Sequence, residues 1–280
     1  MKKVLHFPLV KIIIGLVACI AVVSLSKIIV EALLDFMKVD KDIKNLIIGV
    51  ISAILAVLTY IYLFKFYEKR EITEFSKIGL LKNISTGILL GALLQALTIL
   101  VIYINGGYSV IAINPILFII PPLTMAFTSA IIEEILIRGI IFRILEERLG
   151  SYLALFFSAI IFGALHFANP NSSVFMALAL AIQAGLLLAV AYIYSRNLWF
   201  PISIHFAWNF TQTAIFGANV SGIHMSETLI VSKIEGNHWL TGGSFGPEGS
   251  VQATAFCLIS TIILLILSHR DKKIKPFKGK

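Results

Sequence analysis

Six polar side chains stand inside long apolar runs of this 280-residue sequence: Glu133, Glu134, Arg138, His166, His205 and Asn209. Carboxylates and imidazoles move protons, and a carboxamide can donate hydrogen bonds to a developing negative charge. Each ionised side chain near a bilayer centre costs about 2.5–3.5 kcal/mol on insertion scales, so charges at such depth point to function. Helical spacing sorts the three charged residues. Glu134 and Arg138 are four apart with the acid first, the favourable order for an ion pair. Glu133 points about 100° away around the same helix, five residues from Arg138, and is the carboxylate left without a partner. His205 and Asn209, also four apart, share one face.

The elements that must position these groups follow from composition. The chain is 58% hydrophobic and 14% charged, whereas soluble domains carry roughly 45–50% and about 25%. An ordinary soluble domain is excluded, and the expectation is an all-α, polytopic integral membrane protein. Long apolar runs predict about eight transmembrane helices, over 12–26, 46–64, 83–104, 114–147, 151–168, 172–195, 197–217 and 251–268. Pro121 and Pro122 precede the acidic pair and are expected to break or kink the fourth span, opening space for water or an extended substrate. At 1.5 Å per residue, Glu133 lies about 20 Å from Arg148, His166 about 22 Å from Ser151, and His205 and Asn209 about 12 and 18 Å from Asn197. Four polar groups from three helices can therefore meet in one layer.

The formal charge of +8 would suggest nucleic acid in a soluble protein. Here the bases mark orientation instead. Lys2, Lys3 and Lys11 precede the first span; Lys65, Lys69, Arg70, Lys77 and Lys82 follow the second; Arg143, Arg148 and Arg196 end later spans; and Arg270, Lys272, Lys273, Lys275, Lys278 and Lys280 form the tail, together 17 of 23 basic residues. Both termini are predicted cytoplasmic, in a multi-pass protein of the cell membrane with lipid around it and no nucleic-acid partner. Lys2 and Lys3 could begin a signal peptide, but Lys11 interrupts the apolar stretch and more spans follow, which favours a retained first helix. Residues 218–250, rich in Gly, Ser and Asn, are predicted to form an extracytoplasmic loop that moves to gate substrate. Residues 66–77 carry mixed charge and are expected on the cytoplasmic membrane face.

Several other patterns read as structural. Gly87 and Gly91 have the spacing of close-packed membrane helices, expected to be internal. Cys19 and Cys257 lie in apolar runs and suggest no disulfide or metal motif. Residues 242–246 fit G-x-S-x-G without a strand-turn-helix setting. His224 and His238 share their loop with Glu227, Glu235 and Glu248 at no metal-binding spacing.

Glu133-Glu134-x-x-x-Arg138, Phe162-x-x-x-His166 and His205-x-x-x-Asn209, in this order, resemble the CPBP family of CAAX proteases and bacteriocin-processing enzymes, also called Abi, and are similar to the type II CAAX prenyl endopeptidases. The resemblance covers about 126–217, with Arg138-Gly139 and Asn197-Leu198-Trp199-Phe200-Pro201 among the surroundings, and suggests a catalytic core at 114–217 inside a single membrane domain, 1–280. It implies an intramembrane endopeptidase acting on a membrane-associated protein or peptide. Glu133 and His166 would activate water, and His205 and Asn209 would hold that water or stabilise the oxyanion. Glu134 joins this catalytic set or acts with Arg138 as support, and Phe162 is a packing wall. The family has been called metalloprotease, and a metal-free glutamate mechanism has also been argued for it. Both fit the residues. Desolvation makes a carboxylate a better base, and Glu133, His166 and His205 could instead bind Zn²⁺ with a position open for water, although HExxH is missing. The rivals are an ion- or proton-coupled transporter, whose polar residues should continue through the full thickness, and a non-catalytic immunity protein keeping the fold.

Overall fold

A computed structural model describes residues 7–277. Lys2, Lys3, Lys278 and Lys280, used above for orientation, lie outside the described residues. The described chain is a bundle of helices with one short strand pair. The helices are α1 Pro8–Phe36, α2 Lys41–Tyr67, α3 Leu80–Ile104, α4 Ile120–Glu134, α5 Arg143–His166, α6 Val174–Leu180, α7 Leu187–Ser195, α8 Trp199–Phe210, α9 His238–Thr241 and α10 Val251–Arg270. Their starts follow local chemistry. Pro8 occupies the first turn of α1, Asp40 accepts from the Asp42 and Ile43 amides at the start of α2, and Ser250 accepts from the Ala253 amide at the start of α10.

Among the described residues, six helical stretches are long and apolar enough to cross a membrane, against the eight runs expected. One of the six, Ile116–His166, is 51 residues long. It is divided at Gly150, whose φ of 73° and ψ of 171° are not helical. A side chain there would also collide with the returning tail, since a Cβ would lie 2.7 Å from the Phe277 amide nitrogen. The seventh run is α8 continued by Thr211–Ile215, shorter than the others. Large apolar side chains such as Val17, Ile28, Leu89, Phe156 and Ile266 are exposed along these helices, as expected where lipid is the solvent.

Gly87 and Gly91 set a close helix crossing. A Cβ on Gly91 would lie 2.3 Å from the Ile204 carbonyl oxygen, and one on Gly87 would lie 2.9 Å from that of Phe200. The pair therefore brings α3 against α8, the helix that carries His205 and Asn209, and it acts within the molecule as expected.

Two expectations need correction, and a third gains detail. Pro121 and Pro122 sit in the first turn of α4, after a short 3₁₀ turn at Ile116–Ile119, where a proline lacks nothing a helix needs. They start the helix and do not kink it near Glu133. Residues 66–77, expected on the cytoplasmic membrane face, extend no helix beyond Tyr67 and are anchored by buried Glu74 and by Phe75, which packs edge-on against Tyr60 and Trp199. Finally, 218–250 is packed structure. It contributes β2 Ile230–Ile234, antiparallel to β1 Tyr108–Ile113 with Tyr108 opposite Ile234 and a bulge between Val110 and Ala112. Both strands are rich in β-branched residues, which suit a pleated surface. Phe245 and Glu248 from this segment are buried among the spans.

Candidate active site

Glu134 and Arg138 form the centre of the site. Both are fully buried, with Arg138 Nη1 donating to Glu134 Oε1 at 2.8 Å. The same carboxylate oxygen lies 3.0 Å from His205 Nδ1. A carboxylate paired with arginine accepts, so His205 carries its proton on Nδ1 and presents Nε2 as the free ring nitrogen. Glu134 therefore orients the imidazole while it neutralises the arginine.

The helices deform where this pairing occurs. Ile135–Phe142, directly after Glu134, is a π-helical stretch; so are Ala181–Leu186, between α6 and α7, and Thr211–Ile215, which follows Asn209 after one residue. A π turn lengthens the hydrogen-bond ladder and leaves carbonyls available to other donors. Arg138 Nη2 takes two of them, donating to the Ala184 oxygen at 2.5 Å and the Gly185 oxygen at 3.2 Å. Gly185 is required there, because a Cβ would lie 2.9 Å from Ala159 Cα on α5. One arginine thus joins α4, the middle π turn and, through that close approach, the helix that bears His166.

His166 ends α5. Its Nδ1 lies 2.9 Å from the Phe162 carbonyl oxygen. A carbonyl only accepts, so Nδ1 carries the proton and Nε2 faces outward. Nε2 is 3.9 Å from Glu133 Oε2, beyond hydrogen-bond reach. That carboxylate oxygen has no hydrogen-bond partner, although the Glu133 side chain as a whole is about one-third exposed, at 34%. Glu133 is therefore the unpaired acid that helical spacing predicts. Phe162 forms the wall between these groups: its ring is 4.5 Å from the His166 ring, 6.5 Å from that of His205, and 4.8 Å from the Arg138 guanidinium carbon.

Asn209, one turn beyond His205, is buried and donates from Nδ2 to Ser129 Oγ at 3.3 Å. Ser129 stands one turn before Glu133 on α4, so the amide is held beside the unpaired acid. Behind the imidazoles lies a small cavity of about 40 Å³ lined by His166, His205, Asn209, Trp208, Gln183 and Glu248 together with leucine and isoleucine side chains. The expected residues thus come together, with Glu133 at one edge of the group and the cavity on the other side of the two rings.

The zinc reading needs Glu133, His166 and His205 to converge. Glu133 and His166 approach each other, but among the described residues no group of three or more His, Cys, Asp and Glu side chains is arranged to hold a metal ion. His224 belongs to no such group either; its Nδ1 is 2.9 Å from Asn219 Oδ1. As placed, this donor set does not fit a metal.

Sequence reasoning passed over Ser129, Gln183 and Trp208, and it read Glu248 as a loop acid. Gln183 could have been noticed as an amide inside an apolar run. Nothing in the spacing signals Glu248, because its place depends on how 218–250 folds back.

No curated protein and no solved structure matches the chain. Residues 115–211, which hold every motif residue from Glu133 to Asn209, match the family described as type II CAAX prenyl endopeptidase Rce1-like, which marks this multi-pass membrane protein as similar to intramembrane proteases.

Proposed function

We propose that the chain is an intramembrane endopeptidase of the cell membrane, with eight crossings and both termini cytoplasmic, that hydrolyses peptide bonds of membrane-associated proteins or peptides. The observation that carries this reading is the Glu133 carboxylate oxygen, unpartnered and 3.9 Å from the free nitrogen of His166. The neighbouring carboxylate on the same helix, Glu134, is committed to Arg138 and His205.

In the reaction, Glu133, with His166, takes a proton from water as its oxygen attacks the peptide carbonyl carbon. The carbonyl π electrons move to oxygen, and Asn209 Nδ2–H stabilises that oxyanion, while the free Nε2 of His205 holds the attacking water by accepting a hydrogen bond from it. When the intermediate collapses, the C–N bond breaks and the amine leaves with the proton held by Glu133. Glu134 takes no proton; it keeps His205 in the required tautomer and orientation. Arg138 keeps Glu134 ionised and in place.

The test compares membrane proteomes of a deletion strain carrying wild type, Glu133→Gln or no copy. New N-termini present only with wild type support the reading. Identical sets of termini in all three overturn it. The glutamate mechanism has its own check on purified protein. Cleavage that survives rigorous metal removal supports it; cleavage abolished by chelation and restored by Zn²⁺ replaces it with the metal version.

A further inference from the structure

Glu248 lies outside the stretch that matches the protease family, in a short 3₁₀ turn at Pro247–Gly249 just before α10, and is 2% exposed. Burying a carboxylate among apolar side chains costs several kcal/mol unless donors compensate it. Two do, from separate parts of the chain. Trp208 Nε1 on α8 donates to Oε2 at 3.3 Å, and the Ser221 amide donates to Oε1. The residue's own carbonyl accepts from Gln183 Nε2 at 2.7 Å, and Gln183 also donates to Thr254 Oγ1 on α10 at 2.7 Å.

We propose that Glu248 is a positioning residue of the active site: its carboxylate clamps the Trp208 indole and the 218–250 segment onto the cavity lined by His166, His205 and Asn209. Trp208 immediately precedes Asn209 and is three residues from His205, so a fixed indole fixes the face of α8 that carries both. The clamp also continues the arginine's network, since Gln183 belongs to the π turn whose carbonyls Arg138 holds. The segment is closely fitted around it. A Cβ on Gly249 would lie 2.6 Å from the Met176 sulfur, and one on Gly222, at φ +81°, would lie 1.8 Å from the Pro170 carbonyl oxygen. Burial pushes the Glu248 carboxyl above the usual carboxylate range, and hydrogen bonds from Ser221 and Trp208 pull it part of the way back. Those two donors give the ionised form a use that an apolar residue of equal size could not serve.

The role of Glu248 in cleavage rests on the endopeptidase reading, whereas the clamp itself is testable without it. The chain has three tryptophans, so Trp199→Phe with Trp239→Phe leaves Trp208 as the only emitter. Cys19→Ser leaves Cys257, which lines the same cavity, as the only thiol. In this background Glu248→Ala should red-shift the emission, raise acrylamide quenching of Trp208 about threefold, and speed Cys257 labelling by a small methanethiosulfonate about tenfold. Glu248→Gln keeps the size and one acceptor oxygen, should fall between the two, and carries the test if the alanine variant does not fold. Unchanged emission, quenching and labelling overturn the clamp. Release of the Glu133-dependent N-termini should also fall about tenfold in Glu248→Ala; if it stays at the wild-type level while Trp208 is freed, the positioning role is overturned. Absence of any Glu133-dependent termini overturns the endopeptidase reading and leaves the optical result to decide the clamp.

Discussion

Two clusters of buried charge in this molecule are built on opposite principles. At the basic end, Glu68 accepts from Lys11 at 3.0 Å and Arg70 at 2.9 Å and pairs with Arg143 at 2.9 Å; Glu74 lies 2.8 Å from Arg70 and 3.8 Å from Arg143; and Arg143 also reaches Glu147 at 2.8 Å. Glu146 is as well served, by Arg196 at 2.6 Å, Lys275 at 3.1 Å and the Ser151 hydroxyl at 2.6 Å. Each of these acids but Glu147 meets two or more cations. In the central layer, two acids share one arginine and two imidazoles, and Glu134 takes the arginine and the nearer ring. The first arrangement ties helix ends, a connecting segment and the tail together. The second leaves an oxygen of each acid without a hydrogen bond, and of the two acids only Glu133 has no cation and stands beside a free ring nitrogen, a deficit that stability alone would not maintain.

If this contrast is correct, the largest effect comes from removing the acid that satisfies the centre. Glu134→Ala strands a buried guanidinium and should cost about 3–5 kcal/mol, visible as a large drop in thermal unfolding temperature in detergent. Asn209→Ala should spare folding and lower cleavage about 10²–10³-fold, the usual effect of losing one oxyanion donor. It is read as turnover of a Glu133-dependent substrate at matched folded protein. Gly91→Ala tests the crossing that presents His205, and the collision with the Ile204 carbonyl should cost about 1–3 kcal/mol; an unfolding temperature equal to wild type would show that α3 does not hold α8. The smallest effect belongs to the saturated cluster. Burial alone would raise the Glu68 carboxyl, but Arg143, Lys11 and Arg70 outweigh it and hold the group below its ordinary value. A depressed carboxyl contributes its full stability above the unfolded value of about 4.3 and loses it as pH falls through the folded value. Acid unfolding followed below about pH 5 should therefore be less steep in Glu68→Gln than in wild type.

Much of the site was legible because helical periodicity and membrane cost act on neighbours in sequence. Glu133 could be identified as unpaired, and Glu134 as the partner of Arg138, from a spacing of four against five residues. The meeting of His166 and His205 with the acids followed from equal depth. Long-range packing was not legible. The role of Glu134 in holding His205 depends on two helices 71 residues apart in sequence. The π turns that release carbonyls to Arg138 follow no residue pattern, whereas Pro121 and Pro122 suggested a kink that the helix start absorbs. The 218–250 segment read as a gating loop because glycines and polar residues dominate it. Two of those glycines mark where it packs against other parts of the chain, Gly249 against Met176 and Gly222 against the Pro170 carbonyl, and that fit brings Glu248 to the cavity.

The central claim is that the unpaired acid, and not buried charge in general, performs the chemistry. It is tested most directly by comparing Glu133→Gln with Glu68→Gln at equal expression, measuring the wild-type-dependent N-termini and the unfolding temperature of each protein. Glu133→Gln should reduce those termini about 10²–10⁴-fold, the usual contribution of a general base, with no loss of unfolding temperature, while Glu68→Gln should keep cleavage near wild type. Full cleavage by Glu133→Gln in a folded protein would contradict the account.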